Sequence, residues 1–461
     1  MFNKKRHIHF VGIGGIGMSG IAEVLINLGH IVSGSDLRES EATRRLTSLG
    51  AAVNLGHRPE NIIGAEVVVI SSAVAGDNVE IEAARRDFIP VIPRAEMLAE
   101  LMRLKYSVCV AGAHGKTTTT SLVGSVLSVA GLDPTLVIGG RLDILGSNAR
   151  LGGGDFLVAE ADESDGSFLL LSPTIAVVTN IDLEHLDYYR DLDHLKDTFL
   201  AFINRVPFYG AAVICLDDAN LQAIIPGIRK RYVTYGLSVQ ADVQAVEVER
   251  TGWGHRFDLT VKGRTLGRLE IKLPGRHNVL NSLAAAATAL DLGVSFEAIQ
   301  SGLSQVGLIQ RRFERKGQTR DIEVIDDYGH HPTEIKATLA ALKDCYPGRR
   351  LVVLFQPHRY SRTKALFDEF SAAFNQADRL VLTEIYAASE KPIEGVTGAA
   401  LVESVRRHGH HEADFVPDVN QLAGRVASEL KPGDVVLTLG AGNISRVGPQ
   451  ILELLSSDSG G

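Results

Sequence analysis

Ser107-Val-Cys-Val-Ala-Gly-Ala-His-Gly-Lys-Thr-Thr-Thr-Thr120 is the stretch on which the reading of this chain turns. Apolar, β-prone residues run into a glycine turn, a lysine and four threonines, and a helical pattern follows, which predicts a strand, a phosphate loop and a helix. Glycine at Gly112 and Gly115 lets backbone N–H groups converge on phosphate oxygens with no Cβ in the way. Lys116 is then placed to reach the β- and γ-phosphates, and the Thr117 hydroxyl to hold Mg²⁺. The first glycine of the full G-x-x-x-x-G-K-[ST] pattern is replaced by Val110, so a shorter or differently opened loop is implied. Lys116 is expected to face solvent, so that its loss should spare the fold.

The 461 residues exceed one hydrophobic core, and at roughly 150 residues per domain they suggest three. Hydrophobic residues at 45%, charged residues at 22% and 46 glycines describe a turn-rich α/β protein. No apolar run approaches the roughly 18 to 20 residues of a membrane span, so a soluble chain is expected. The basic opening Met1–Arg6 runs straight into a strand at His7–Val11 and lacks the apolar region of a signal peptide, which points to the cytoplasm. A net charge of −8, with no basic block longer than Arg229-Lys230-Arg231, argues against a nucleic-acid partner. Cys109, Cys215 and Cys345 lie far apart and form no C-x-x-C pair, so reduced thiols without redox chemistry are expected.

Upstream, the strand His7–Val11 enters Gly12-Ile-Gly-Gly-Ile-Gly17, a helix to Leu28 and a second strand ending at Asp36. This βαβ opening carries the dinucleotide fingerprint, but its physical content is a close backbone approach to a diphosphate, which NAD and a UDP-sugar both carry. Strands at Val67–Ser71 and Phe88–Ile92 and a helix at Ala95–Leu104 complete a first domain. Downstream, a glycine-rich connection (Gly139-Gly140, Gly152–Gly154) leads to the strand Phe156–Glu160 and the acids of Glu160-Ala-Asp-Glu-Ser-Asp165. They fall at the C-terminal end of a buried strand, where open α/β sheets place ligands, so at least one can meet the Mg²⁺ on Thr117. A second buried strand from Ile175 runs into Asp182, Glu184 and His185, a second ligand set placed for a metal or a phosphate. Period-two alternation over 242–273 predicts antiparallel hairpins, and a small-residue helix after Pro274 carries Asn278 and Asn281 on one side of its first turn. A third α/β domain follows, with strands at Ile322–Ile325, Leu351–Phe355, Arg379–Leu382 and Val435–Leu439. Its loops Asp326–Glu334 and Gln356–Thr363 should share one sheet edge, where Arg359 and Arg362 can grip a carboxylate. The polar tail Ser456–Gly461 is expected to be disordered.

Together, Gly12–Gly17, Gly112–Thr119, Glu160–Asp165, Gly275-Arg-His-Asn-Val-Leu-Asn281, Asp327-Tyr-Gly-His-His-Pro332 and Phe355-Gln-Pro-His-Arg-Tyr-Ser-Arg-Thr363 resemble the Mur ligases of bacterial peptidoglycan synthesis, in the same order and over nearly the whole chain. The resemblance implies three domains: a Rossmann-like UDP-sugar-binding domain at 1–104, a P-loop ATPase-like domain with added antiparallel strands at 105–313, and a Rossmann-like amino-acid-receiving domain at 314–461. It implies an ATP-dependent amide bond between L-alanine and the lactyl carboxylate of UDP-N-acetylmuramate, made through an acyl phosphate with Mg²⁺. Position by position, Gly112, Ala113, His114, Gly115, Lys116, Thr117 and Thr118 would cradle ATP. Thr117 and Glu160 would ligate one Mg²⁺, and Glu160 with His185 a second. Asn278 and Asn281 would meet adenine, Arg312 a phosphate and Asp327 the ribose. Tyr328, His330, His358, Arg359 and Arg362 would surround alanine and the acyl phosphate, while Gly12, Gly14, Gly15, Gly17, Asp36, Ser71 and Arg94 would frame UDP. Lys116, Glu160, His185, His330 and Arg359 are the implied catalytic set. Several sibling ligases carry a carbamylated lysine where this chain has Leu200, so no carbamate is expected. A ligase that recycles a murein tripeptide is the near rival, and the His358–Arg362 run favours a single small amino acid. A dehydrogenase would leave the phosphate loop without purpose, and a nucleotide-controlled binding protein would leave the acid and histidine sets without one. A monomer or weak homodimer is expected.

Overall fold

Three α/β domains follow one another along the chain in the computed structural model of the protein, which describes residues 4–71, 73–142, 147–186, 188–307, 310–388 and 390–457. The first sheet has five parallel strands in the order Ala52–Leu55, Ile31–Asp36, His7–Val11, Val67–Ile70 and Val91–Pro93. Its order reverses beside His7–Val11, so the Gly12–Gly17 turn opens into the crevice where such sheets take ligands. The last strand and the helix after it, Arg94–Met102, are displaced from the expected 88–92 and 95–104. Phe88 lies in the left-handed region at φ 56°, which ends the preceding helix and delays the strand.

The middle sheet has ten strands around Tyr106–Ala111, which pairs with Phe156–Glu160 on one side and Ile175–Val178 on the other, all parallel. Three antiparallel strands, Val243–Thr251, Gly254–Val261 and Arg264–Ile271, extend one edge as the alternation predicts. The glycine-rich connection differs from expectation, since it contains the antiparallel pair Thr135–Leu142 and Ser147–Arg150. Helix Arg276–Asp291, whose Ala284–Ala287 are buried, packs against helix Lys116–Val129 and against the sheet, an approach that small side chains permit.

The third sheet runs Glu314–Thr319, Ile322–Asp327, Val435–Leu439, Leu351–Phe355, Arg379–Leu382 and Ala413–Phe415, with only the first strand antiparallel. Ile322–Asp327 and Leu351–Phe355 both run parallel to Val435–Leu439, so the two expected functional loops do leave the same edge. Ser456 and Ser457 belong to the last helix, Val447–Ser457, and the rest of the tail lies outside the described residues.

One apolar cluster joins the first two domains, placing Ile8, Phe10 and Leu25 in continuity with Val108, Val137 and Val158. The third domain has separate clusters on the two faces of its sheet. The first two domains therefore form one packed unit, and the third meets it through polar groups and, at Trp253, through apolar packing. No helix among the described residues is long and apolar enough to cross a membrane.

Candidate active site

The phosphate loop leaves the central strand at Gly112, whose φ of 137° and close approach to Thr179 exclude a side chain. Gly115, at φ 79°, opens the helix Lys116–Val129, and a Cβ there would stand 2.5 Å from Asn281 Oδ1. The loop is pinned from the neighbouring strand: His114 N–H donates to Asn180 Oδ1 at 2.8 Å, and Thr179 Oγ1 donates to the His114 carbonyl at 2.6 Å. Lys116 does not face solvent. Its Nζ donates to the Gly112 carbonyl at 2.6 Å and to Glu163 Oε1 at 2.8 Å, because Glu163 is buried and needs a counter-charge. Burial pushes the Lys116 ammonium down, but the Glu163 carboxylate beside it prevails and holds it above the ordinary lysine value.

Glu160 ends its strand opposite Val110, at the mouth of the loop. Among the described residues, the set of metal-type side chains that closes around His185 consists of Glu163 and Glu184, with all ligand atoms within 4.8 Å of one another. His185 Nε2 stands 3.7 Å from Glu163 Oε1 and 3.6 Å from Glu184 Oε2. His185 holds this position at φ 56°, a left-handed conformation that a non-glycine residue adopts at a cost of about 1–3 kcal/mol. Glu163 Oε2 and Glu184 Oε1 are buried oxygens with no hydrogen-bond partner, so two carboxylates and an imidazole offer a donor set that fits a hard divalent cation. Although burial opposes its ionisation, the surrounding His114, His330 and Arg362 bring the Glu184 carboxyl down to about 2.

A cavity of about 390 Å³ opens beside the loop, between the middle and third domains. His114, Thr117, Thr118, Asn278, Asn281, Arg312 and Asp327 all line it. Asn281 donates to Asn278 Oδ1 at 3.0 Å and accepts from Thr119 Oγ1 at 3.2 Å, which fixes both amides against the loop. Asp327 accepts from Phe313 N–H and Gly329 N–H, each at 2.7 Å, yet burial still lifts its carboxyl to about 6. Arg312 lies over the Tyr328 ring with 4.9–5.2 Å between the ring and the paired guanidiniums of Arg311 and Arg312. His114 Nε2 bonds Asp182 Oδ2 at 2.9 Å, and its Nδ1 stands 3.3 Å from Glu334 of the third domain. Burial favours the neutral ring, but these carboxylates outweigh it and raise His114 to about 10.

The remaining third-domain residues face Glu184 from the opposite side. His330 Nε2 and Arg362 Nε each stand 3.8 Å from Glu184 Oε1. Arg362 Nη1 donates to His358 Nδ1 at 3.2 Å, and the His358 ring stacks on Tyr386. Burial lowers His330 to about 4 and His358 to about 3, leaving both rings neutral near pH 7. Arg359 sits at φ 69° ahead of a short helix and, with Arg362 and His185, lines a cavity of about 400 Å³. On the first domain, Asp36 Oδ2 accepts from Gly14 N–H at 2.9 Å, so this carboxylate is engaged with the glycine turn itself. Gly12 has φ 77°, and Gly15 precedes the helix Ile16–Asn27. Ser71 follows the strand Val67–Ile70 at the same edge.

Family models match three successive segments of the chain: the Mur ligase catalytic domain over residues 7–106, the Mur ligase middle domain over 110–289 and the Mur ligase glutamate ligase domain over 311–442. The chain belongs to the Mur ligase family. This Mur ligase is 60% identical to the UDP-N-acetylmuramate–L-alanine ligase of Syntrophobacter fumaroxidans, across 100% of its own length and 98% of that relative. It is 59% identical to the ligase of the same name from Geotalea uraniireducens, across 99% and 100%. Among solved structures, the UDP-N-acetylmuramate–alanine ligase of Thermotoga maritima superposes with a TM-score of 0.83 at 30% identity, covering 98% of this chain and 99% of that one.

Sequence reasoning singled out Glu160 of the acidic stretch and left Glu163 unassigned, whereas in this Mur ligase Glu163 is the acid that holds Lys116. It placed Asp182 and Glu184 in a ligand set beside His185 but left Thr333 and Glu334 without roles, although Thr333 Oγ1 donates to Asp182 Oδ2 at 2.6 Å across the two domains. The one available signal was the placement of 182–185 just past a buried strand.

Proposed function

We propose that this Mur ligase joins L-alanine to the lactyl carboxylate of UDP-N-acetylmuramate, using ATP and releasing ADP and phosphate. The observation that carries the proposal is the row of facing polar side chains Lys116, Glu163, His185, Glu184 and Arg362, each within 4 Å of the next, which links the phosphate loop to the third-domain loops. In this reading residues 1–104 hold the UDP-sugar, 105–313 hold ATP and 314–461 receive alanine.

A carboxylate does not condense with an amine at neutral pH, so the first step moves the γ-phosphoryl group onto a lactyl oxygen. The bond from the γ-phosphorus to the β,γ-bridging oxygen breaks as the new one forms, and ADP leaves. Two anions must approach for this, and Lys116 supplies the positive charge at the γ-phosphate. Thr117, Glu160 and His185, with Glu163 and Glu184 beside them, would hold Mg²⁺, which when bound neutralises phosphate charge. Asn278 and Asn281 seat the adenine, Asp327 accepts from the ribose, and Arg312, at the junction with the third domain, reaches the phosphates. In the second step the free amine attacks the acyl carbon and phosphate departs. Arg359 and Arg362 orient the alanine carboxylate, and Tyr328, His330 and His358 border the amine.

The test is ADP and phosphate release from the purified chain with UDP-N-acetylmuramate, L-alanine and Mg²⁺ each omitted in turn. Release should require all three, and turnover that persists without either substrate would overturn the proposal.

A further inference from the structure

Arg94 opens the helix Arg94–Met102 in the first domain, and its guanidinium lies across Gly17, where a Cβ would stand 2.7 Å from Nη1. It therefore sits over the first turn of the helix Ile16–Asn27, at the glycine turn expected to take the diphosphate. Its Nη2 reaches into the middle domain and donates to Asp162 Oδ2 at 2.9 Å. Asp162 stands next to Glu163, which holds Lys116 at 2.8 Å. The short segment between them is itself fixed, since Asp162 Oδ1 accepts from Ser164 N–H at 3.1 Å and the Glu163 carbonyl accepts from Tyr189 Oη at 2.5 Å.

We propose that Asp162 is a positioning residue that couples the UDP-sugar site to the phosphate loop through Arg94. This rests on the reading of the first domain as the UDP-sugar site. A guanidinium has five donors, so Arg94 can keep Asp162 on Nη2 while Nη1 turns to a diphosphate at Gly17. A UDP-sugar that immobilises Arg94 thereby immobilises Asp162 and the adjoining Glu163, and Lys116 is offered to ATP from a fixed partner. Stability does not account for the pair. The Asp162 side chain is 45% exposed, and ion pairs open to solvent in that way add little to stability, while apolar packing already joins the two domains.

Calorimetric titration of the full chain with UDP-N-acetylmuramate, with and without a non-hydrolysable ATP analogue and Mg²⁺, reads the coupling directly. The analogue should tighten UDP-sugar binding by about 5- to 150-fold in the wild type, and the UDP-sugar should tighten the analogue by the same factor. In Asp162→Asn each ligand should still bind alone while the factor falls towards one, and Asp162→Glu, which keeps the charge, should restore most of it. An unchanged factor in Asp162→Asn, a factor of one in the wild type, or equal loss of fold or coupling in both variants would overturn the inference. A wild type that fails to bind UDP-N-acetylmuramate at all would instead sink the functional reading on which it rests.

Discussion

Lys116 and Glu163 lie 2.8 Å apart with side chains 19% and 2% exposed, so neither can be removed without stranding the other's charge. Lys116→Ala should therefore abolish turnover and also lower the unfolding free energy by about 3 kcal/mol, with part of that loss recovered in the double variant Lys116→Ala/Glu163→Ala. Urea unfolding of the wild type and the two variants checks this. A second charge of this kind lies away from the site. Glu80 is fully buried and accepts from Ser35 Oγ at 2.6 Å and Asn61 Nδ2 at 2.5 Å, with His9 Nε2 at 3.5 Å. Burial pushes its carboxyl up, but the hydrogen bonds from His9, Ser35 and Asn61 prevail and bring it from 4.5 to about 2. A folded-state value below the unfolded one means stability that is fully present above about pH 4.5 and lost as pH falls towards 2. Glu80→Gln should thus be less stable than the wild type by on the order of 3 kcal/mol at pH 7, with the gap closing between pH 4.5 and 2 in equilibrium denaturation. Lys116 and the loop glycines were legible in the sequence because phosphate binding dictates backbone shape and a cation together. Glu163 was not, since acids at 160, 162, 163 and 165 share one turn and only the folded loop decides which points inward. The pairing of His114 with Glu334 was equally hidden, because it joins positions in different domains.

The elements built from buried, continuous apolar runs, such as Tyr106–Ala111, Ile175–Val178 and Leu351–Phe355, were readable because a parallel strand covered on both faces needs little else. The pair Thr135–Leu142 and Ser147–Arg150 was hidden by its glycines, and Glu314–Thr319 by its run of polar residues at a sheet edge. The strand–loop–helix unit at the phosphate loop gives the sharpest prediction at this scale. Gly112 has a φ open to glycine, and its missing side chain is the space occupied by Thr179 Oγ1 and approached within 3.1 Å by the Asn180 backbone. Thr179 and Asn180 are the residues that pin the loop at the His114 carbonyl. Gly112→Ala should push the loop off that anchor, costing more than the 1 kcal/mol or so of the backbone strain alone and weakening ATP binding by at least about tenfold. Gly131→Ala tests the same strain without the collision, since nothing lies within 4 Å of its Cβ position at φ 76°, and it should leave ATP binding intact. Equilibrium binding of a fluorescent ATP analogue to both variants separates the two effects.

The third domain meets the rest of the molecule through two unlike contacts. On one side Trp253, the sole tryptophan, reaches from the turn between Val243–Thr251 and Gly254–Val261 to the rings of Phe313 and Tyr346, each at 5.6 Å. On the other side the contacts are polar, with Thr333 on Asp182 at 2.6 Å but Arg362 and His330 still 3.8 Å from Glu184. Aromatic packing costs free energy to separate, whereas groups 3.8 Å apart have distance left to close, so a closing motion of the third domain would pivot on the tryptophan side and narrow the Glu184 side. Residues Arg311 and Phe313, at φ 58° and 53°, lie where the chain passes between the domains beside that pivot. ATP bound between Asn281 and Arg312, together with the UDP-sugar, should draw the Glu184 side shut. X-ray scattering should then show a smaller radius of gyration with an ATP analogue and UDP-N-acetylmuramate than without them, while the Trp253 emission maximum stays at its ligand-free wavelength. A red shift accompanying compaction would move the pivot elsewhere, because the indole would have left its aromatic partners for water. An unchanged radius would mean that Arg362 and His330 already stand where catalysis needs them, and that the 3.8 Å gaps are filled by the substrates rather than closed by the domain.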